Sequence, residues 1–220
     1  MKSIEACLFD LDGVLVDTAK YHFIAWQNLA SRWNIELTEE ENERLKGVGR
    51  MDSLIHILKL GDVSLTKKEM ENWCGVKNEE YLGLVSEMDK SELLPNVVKI
   101  LTELKEREIK IGLGSASKNA LLILEKTGIL PFFEAIVSGN DVTFSKPHPE
   151  VFLKGAKQLD AIPSRTIVFE DSQKGIEAAN AGGFYAVGIG KPSDLKEANI
   201  VIPSFEKHTF SDIEKLLTNI

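Results

Sequence analysis

A chain of 220 residues, with 43% hydrophobic and 27% charged side chains, has the make-up of a globular protein of one to two domains with a sizeable core. Its 34 acidic and 26 basic residues leave a net charge of −8, which disfavours nucleic acid as a partner but still allows a small, locally positive site for a phosphorylated ligand. Two cysteines, Cys7 and Cys74, exclude a disulfide framework, and apolar runs such as Ala120–Leu124 fall far short of the ~20 residues a membrane-spanning helix needs.

In chain order, the segment Ile4-Glu5-Ala6-Cys7-Leu8-Phe9 is a short apolar run that ends at Asp10, as a buried strand does, with Cys7 as core filler. The acids at Glu5 and Asp10 argue against a signal peptide, so the cytoplasm is the expected compartment. Residues from about 18 to 88 then show helical patterns and no convincing strand. The expected helices are Ala19–Trp33, Glu39–Leu45, Met51–Leu60 and Lys67–Met88, with Thr38/Glu41 and Thr66/Glu69 spaced as capping boxes. From Leu94-Pro95 onward, strands alternate with helices. Strands are expected at Ile109–Leu113, Ala135–Ser138, Thr166–Phe169 and Tyr185–Ile189, with an edge strand at Ile200–Ile202. The intervening helices are Val97–Arg107, whose apolar residues Val97, Ile100, Leu101 and Leu104 repeat at helical period, then Lys118–Thr127, Pro149–Leu159 and Gly175–Ala181. Such alternation implies a parallel sheet covered on both faces. The fold class is therefore α/β: a Rossmann-like parallel-sheet core, residues 1–16 and 89–220, carrying an inserted α-helical cap, residues 17–88. An insert at the carboxyl edge of such a sheet, where ligands bind, is a natural lid.

Four motifs stand at strand ends. In Asp10-Leu11-Asp12-Gly13, two carboxylates flank one residue and Gly13 frees the turn, so one acid can attack phosphorus while the other moves a proton. The pair reads equally as an ordinary acidic loop. In Gly114-Ser115-Ala116-Ser117-Lys118-Asn119, Ser115 and neighbouring N–H groups suit phosphate oxygens, although either serine could simply cap a helix. In Ser145-Lys146-Pro147-His148-Pro149, a lysine held extended before proline offers a fixed cation, or is a surface turn. In Glu170-Asp171-Ser172, two acids offer hard oxygens of the kind Mg²⁺ takes, and Asp171 or Ser172 also fits a helix cap. Taken together, the motifs supply a nucleophile, an acid/base, a phosphate clamp, a cation and a metal site, which is the full equipment for phosphoryl transfer.

These four motifs, in this order and over essentially the whole chain, resemble the haloacid dehalogenase superfamily of phosphotransferases. Three stretches are similar in particular to its sugar-phosphate mutases: Asp17–Trp26, Leu45–Ser53 (Leu45-Lys46-Gly47-Val48-Gly49-Arg50-Met51-Asp52-Ser53) and Ser115–Asn119. The resemblance implies that Asp10 is the phosphorylated nucleophile and Asp12 the general acid/base. It implies a Mg²⁺ shell of Asp10, the Asp12 carbonyl, Glu170 and Asp171. Ser115 and Lys146 would hold the transferring phosphate, and Arg50, Ser117 and Asn119 the distal one, with Ala116 and Lys118 in the same loop. His22, Trp26, Lys46, Gly47, Ser53 and Lys77 would lie near the sugar, and Thr18 at a hinge near Asp12.

Without the resemblance, Lys77 on its long helix reads as solvent-facing, Arg50 as a solvated helix-start cation, and His22 with Trp26 as a packing pair. Two positions depart from the family pattern: Gly49 stands where serine is expected, and Asn140-Asp141 replaces a different loop sequence. The implied activity interconverts β-D-glucose 1-phosphate and 6-phosphate through phospho-Asp10 and a β-glucose 1,6-bisphosphate intermediate, in a monomer that takes small sugar phosphates and neither nucleic acid nor membrane. The alternatives are a sugar-phosphate phosphatase of the same superfamily, which has no need of a second phosphate clamp, and a catalytically silent binding module, which has no need of Asp10, Asp12, Lys146 and Asp171.

Overall fold

The computed structural model of the chain describes residues 3–45 and 48–219. Two units form: residues 1–17 with 89–220, and residues 18–88. In the first, strands β1 (Ala6–Phe9), β2 (Lys110–Gly114), β3 (Ala135–Val137), β4 (Thr166–Glu170), β5 (Tyr185–Ile189) and β6 (Ile200–Ile202) make one sheet in the order β3-β2-β1-β4-β5-β6. Every neighbouring pair is parallel. This is the Rossmann-like α/β sheet the sequence pattern implies, with Ile200–Ile202 at an edge.

Four-residue β1 is buried throughout, because it runs through the middle of the sheet with both faces covered. On one face Ala6, Leu8 and Val168 pack with Val151 and Phe152 of α7 (Glu150–Gln158) and Ile176 of α8 (Gln173–Ala181). On the other, Phe9 stacks on Phe169 at 4.7 Å, and Phe133 and Phe205 meet Phe9 edge-on. Register then fixes the site. Phe9 lies opposite Leu113 on one side and Phe169 on the other, so the carboxyl ends of β1, β2 and β4 bring Asp10, Ser115 and Glu170 to a single edge.

The second unit holds α1 (Ala19–Ser31), α2 (Glu39–Leu45), α3 (Arg50–Leu60) and α4 (Lys67–Ser86) around a core that includes Leu29, Leu54, Ile57 and Leu58. At the start of α4, Thr66 and Glu69 form the full capping box. At α2 only half of the expected box forms: Thr38 Oγ1 accepts the Glu41 N–H at 3.3 Å, while the Glu41 carboxylate turns to His56 and Arg44. Five helices, α1, α4, α5 (Val97–Glu106), α6 (Ala120–Lys126) and α7, are shorter than the sequence reading. The α1 helix stops at Ser31, followed by turns that lead to the left-handed Asn34, and α4 stops at Ser86. Helix α6 (Ala120–Lys126) begins two residues later than expected, because Lys118 and Asn119 belong to the loop before it. Helix α5 covers Val97–Glu106. A further helix, α9 (Phe210–Thr218), which the sequence reading did not include, buries Phe210, Ile213 and Leu217 under a Thr209/Asp212 capping box.

Candidate active site

In the α/β unit, Asp10 follows β1 directly and its N–H donates to the Phe169 carbonyl. The chain then turns sharply through Gly13, whose φ of +77° suits glycine. A Cβ at Gly13 would also lie 2.0 Å from Asp171 Oδ2, so glycine is what lets the Asp10–Asp12 turn approach the acids after β4. Oxygens of Asp10, Glu170 and Asp171 lie within 4.8 Å of one another. Asp10 and Glu170 are buried, and Asp171 is the exposed member.

Lys146 closes this cluster. Its Nζ is 2.5 Å from Asp10 Oδ1 and 3.4 Å from Glu170 Oε1, over the ring of Phe152, with a side chain only 9% exposed. Burial works against its charge, but Asp10 and Glu170 outweigh that and hold its pKa above the usual lysine value. Burial pushes the Glu170 carboxyl up. Although Asp171 as a residue is exposed, its carboxyl is turned into the cluster, and loss of water there, with the charges of Glu170, Asp10 and Asp12, pushes it up. Carboxylates crowded like this, with one ammonium among them, make a site that gains from a further cation. Glu170 is also fixed by Ser172 Oγ, which donates to its Oε1 at 2.7 Å, and by the Asp171 N–H. Gly175 makes room for it, since a Cβ there would lie 1.7 Å from Glu170 Oε1. Ser172 also caps α8 by accepting the Gly175 N–H, so the capping role and the site role coexist.

Ser115 is buried after β2, and its Oγ accepts the Ser117 N–H at 3.0 Å. Ser117 Oγ accepts the Asn119 N–H at 3.3 Å. These bonds shape the Ser115–Asn119 loop, and neither serine caps α6. A hydroxyl that accepts in this way keeps its proton for an anion. Ala116 and Lys118 contribute their carbonyls to contacts with the Gly139–Asn140 turn. Thus Asp10, Asp12, Ser115, Lys146, Glu170 and Asp171 gather in one unit.

The helical unit has its own cluster. Lys77 is 2% exposed, so its reading as a solvent-facing residue is corrected. Its Nζ lies 2.7 Å from His22 Nδ1 and 4.8 Å from the ring centroids of both Trp26 and Tyr81. Burial, with help from Arg50, lowers Lys77 to about 7. Burial and the Lys77 and Arg50 charges lower His22 to about 3, so His22 is neutral and its Nδ1 accepts from Lys77. His22 stacks on Tyr81 at 4.1 Å rather than making a simple pair with Trp26. Arg50, the exposed first residue of α3, donates to Asn78 Oδ1 at 2.7 Å. Thr18 and Ser53 are buried, and Gly49 is the residue before α3. Lys46 and Gly47 lie outside the described residues. Tyr81, Asn78 and Gly175 were not singled out from the sequence. Tyr81 and Asn78 fall one turn and one residue beyond Lys77 on the same helix, and that spacing was the available signal.

The fold and the carboxylate–lysine cluster define an α/β enzyme site. A family model described as haloacid dehalogenase-like hydrolase matches residues 4–183, and the chain belongs to that family. Within it, the chain is 39% identical over 201 residues to a β-phosphoglucomutase of Bacillus subtilis, covering 90% of this chain and 89% of that one. The crystal structure of a β-phosphoglucomutase from Clostridium difficile superposes with a TM-score of 0.90 at 40% identity, over 98% of both chains. A phosphorylated carbohydrates phosphatase of Thermotoga maritima is 32% identical over 182 residues, 82% of each chain.

Proposed function

We propose that this protein is a Mg²⁺-dependent β-phosphoglucomutase. The observation that carries phosphoryl transfer is the Lys146 ammonium on Asp10 Oδ1, with Glu170 and Asp171 gathered around it. The choice of a mutase rests on likeness at about 40% identity over nearly the full chain to proteins bearing that name. Hard carboxylate oxygens from Asp10, Glu170 and Asp171 fit Mg²⁺, which these residues and the Asp12 carbonyl would hold. When bound, the ion supplies charge neutralisation for the transferring phosphoryl group.

The remaining chemistry belongs to the chain. Phospho-Asp10 gives its phosphoryl group to O6 of β-glucose 1-phosphate. The Asp–phosphate bond breaks, the O6–phosphorus bond forms, and Asp12 takes the hydroxyl proton. The bisphosphate turns end for end and returns its O1 phosphate to Asp10, while Asp12 gives the proton to O1, releasing glucose 6-phosphate. Lys146 and Ser115 hold the transferring oxygens throughout. From the helical unit, His22, Trp26, Ser53 and Lys77 would serve the sugar and Arg50 the phosphate that is not reacting, the roles the family resemblance implies. Ser117 and Asn119 share that phosphate.

The test is to incubate the protein with β-glucose 1-phosphate, Mg²⁺ and a trace of β-glucose 1,6-bisphosphate, with and without excess chelator. Glucose 6-phosphate should accumulate in preference to free phosphate and only with the metal. The likeness to the Thermotoga phosphatase favours a second reading, a sugar-phosphate phosphatase, and free phosphate as the main product would establish it in place of the mutase.

A further inference from the structure

Between β3 and α7 the chain has no helix or strand, yet it carries Lys146, whose ammonium must stay on Asp10. An unsupported loop does not hold a side chain to the fraction of an ångström that phosphoryl transfer needs. Two groups on successive turns of α7 supply the support. Glu150 Oε2 accepts the N–H groups of Thr143 at 3.0 Å and Phe144 at 2.8 Å, three and two residues before Lys146 respectively. Lys154, one turn later, pairs with Glu150 Oε1 at 2.6 Å and donates to the Asp141 carbonyl at 2.6 Å.

The near end of the same stretch backs the phosphate loop. Asp141 Oδ2 accepts from the Ser138 N–H and hydroxyl, Asn140 Nδ2 donates to the Lys118 carbonyl at 2.8 Å, and the Gly139 N–H donates to Ser117 at 3.1 Å. Asn140 and Asp141 are also the pair that departs from the family pattern in the sequence.

We propose that Glu150 and Lys154 are positioning residues for phosphoryl transfer: their ion pair ties down residues 141–144 and so sets Lys146 against Asp10 and steadies the Ser115–Asn119 loop. The charge of Glu150 is suited to the task. It stands at the start of α7, where the helix dipole favours an anion. The Lys154 side chain, with the Phe144 and Thr143 amides, also holds its carboxyl down to about 2, so it is ionised at every working pH. An i,i+4 ion pair with a half-exposed lysine does little by itself. Here it is joined to two backbone amides and a carbonyl from another segment, which gives it a second task.

The proposal rests on Asp10 as the phosphate acceptor, but the tie itself does not, so the test reads the two separately. Glu150→Gln, Lys154→Met and the conservative Glu150→Asp are compared with the parent protein. The readouts are the Asp10 phosphorylation rate with acetyl phosphate and Mg²⁺, amide hydrogen exchange at Thr143 and Phe144, the ¹⁵N resonance of the Lys146 ammonium, and the melting temperature. In Glu150→Gln the phosphorylation rate should fall about 10- to 100-fold, with the donor's KM changing much less. Exchange at Thr143 and Phe144 should quicken, the Lys146 resonance should move, and the melting temperature should stay close to that of the parent. Lys154→Met should do the same more weakly, and Glu150→Asp should recover part of the rate. Unchanged exchange, or faster exchange with an unmoved Lys146 resonance, overturns the proposal. So does a rate loss that only tracks a falling melting temperature. If the parent protein never phosphorylates Asp10, the functional reading fails, while exchange and the Lys146 resonance still decide the tie.

Discussion

Each unit of the molecule buries a lysine, and the surroundings treat the two in opposite ways. Lys146 in the α/β unit is held between Asp10 and Glu170, and its pKa is raised. Lys77 in the helical unit is as deeply buried, but its near neighbours are His22 and the rings of Trp26 and Tyr81, and its pKa falls to about 7. Desolvation acts on both. The difference is the counter-ion: full negative charges offset the cost at Lys146, whereas aromatic faces and a neutral imidazole offset only part of it at Lys77. The first is a fixed charge, suited to neutralising a phosphoryl group. The second is a group on the edge of protonation, which an incoming anion can tip.

The sharpest way to break this contrast is to remove the fixed charge. Lys146→Met should lower phosphorylation of Asp10 by about 10²- to 10³-fold, the scale of losing one preorganised charge-stabilising group. It should also lower the melting temperature of the metal-free protein, since Asp10 and Glu170 lose the cation between them. Stopped-flow phosphorylation and thermal melts check both, and a variant within a few-fold of the parent would remove Lys146 from the reaction.

Next in size is Arg50→Ala. A charge-assisted pair to a phosphate is worth roughly 2–4 kcal/mol, so conversion of β-glucose 1-phosphate should drop about 30- to 1000-fold. Phosphorylation of Asp10 by acetyl phosphate should change little, because that donor has no second phosphate to hold. Equal losses in both assays would assign Arg50 to the transferring phosphate or to the fold. No loss in either would place the second phosphate elsewhere.

The smallest effect is on stability. Between about pH 7 and the ordinary lysine pKa, the unfolded chain carries a proton on Lys77 that the folded chain does not. Stability of the helical unit should therefore rise with pH above 7, by at most about 1.4 kcal/mol per unit. The sequence has 3 tryptophans, Trp26, Trp33 and Trp73, all within residues 18–88, so urea titrations followed by their fluorescence report on this unit. Lys77→Met should flatten the slope. A parent slope of zero, or one that falls with pH, would contradict the assignment.

The sequence made the α/β unit far more legible than the chemistry of Lys77. Strands such as Ala6–Phe9 and Tyr185–Ile189 are short apolar runs because both faces of the sheet are covered, and each motif at a strand end announces itself. The burial of Lys77 depends on His22, 55 residues away, and no local pattern encodes that. The Lys146–Asp10 pairing spans 136 residues and was reached only by resemblance and by chemical completeness. The tie made by Glu150 and Lys154 was hidden for another reason: at i,i+4 on a helix it looks like any surface pair, and its backbone partners lie in a loop with no period. Helix α9 did carry a signal, Thr209 three residues before Asp212 with Phe210, Ile213 and Leu217 at helical spacing, which the sequence reading passed over.

The central claim is that Asp10 carries the phosphoryl group. The most direct test is to label the protein with ³²P-acetyl phosphate and Mg²⁺, quench in acid, and map the labelled peptide. The label should appear on the peptide containing Asp10, be absent from Asp10→Asn, and leave on addition of β-glucose 1-phosphate to give labelled β-glucose 1,6-bisphosphate. Label on a different residue, or full turnover by Asp10→Asn, would contradict the account.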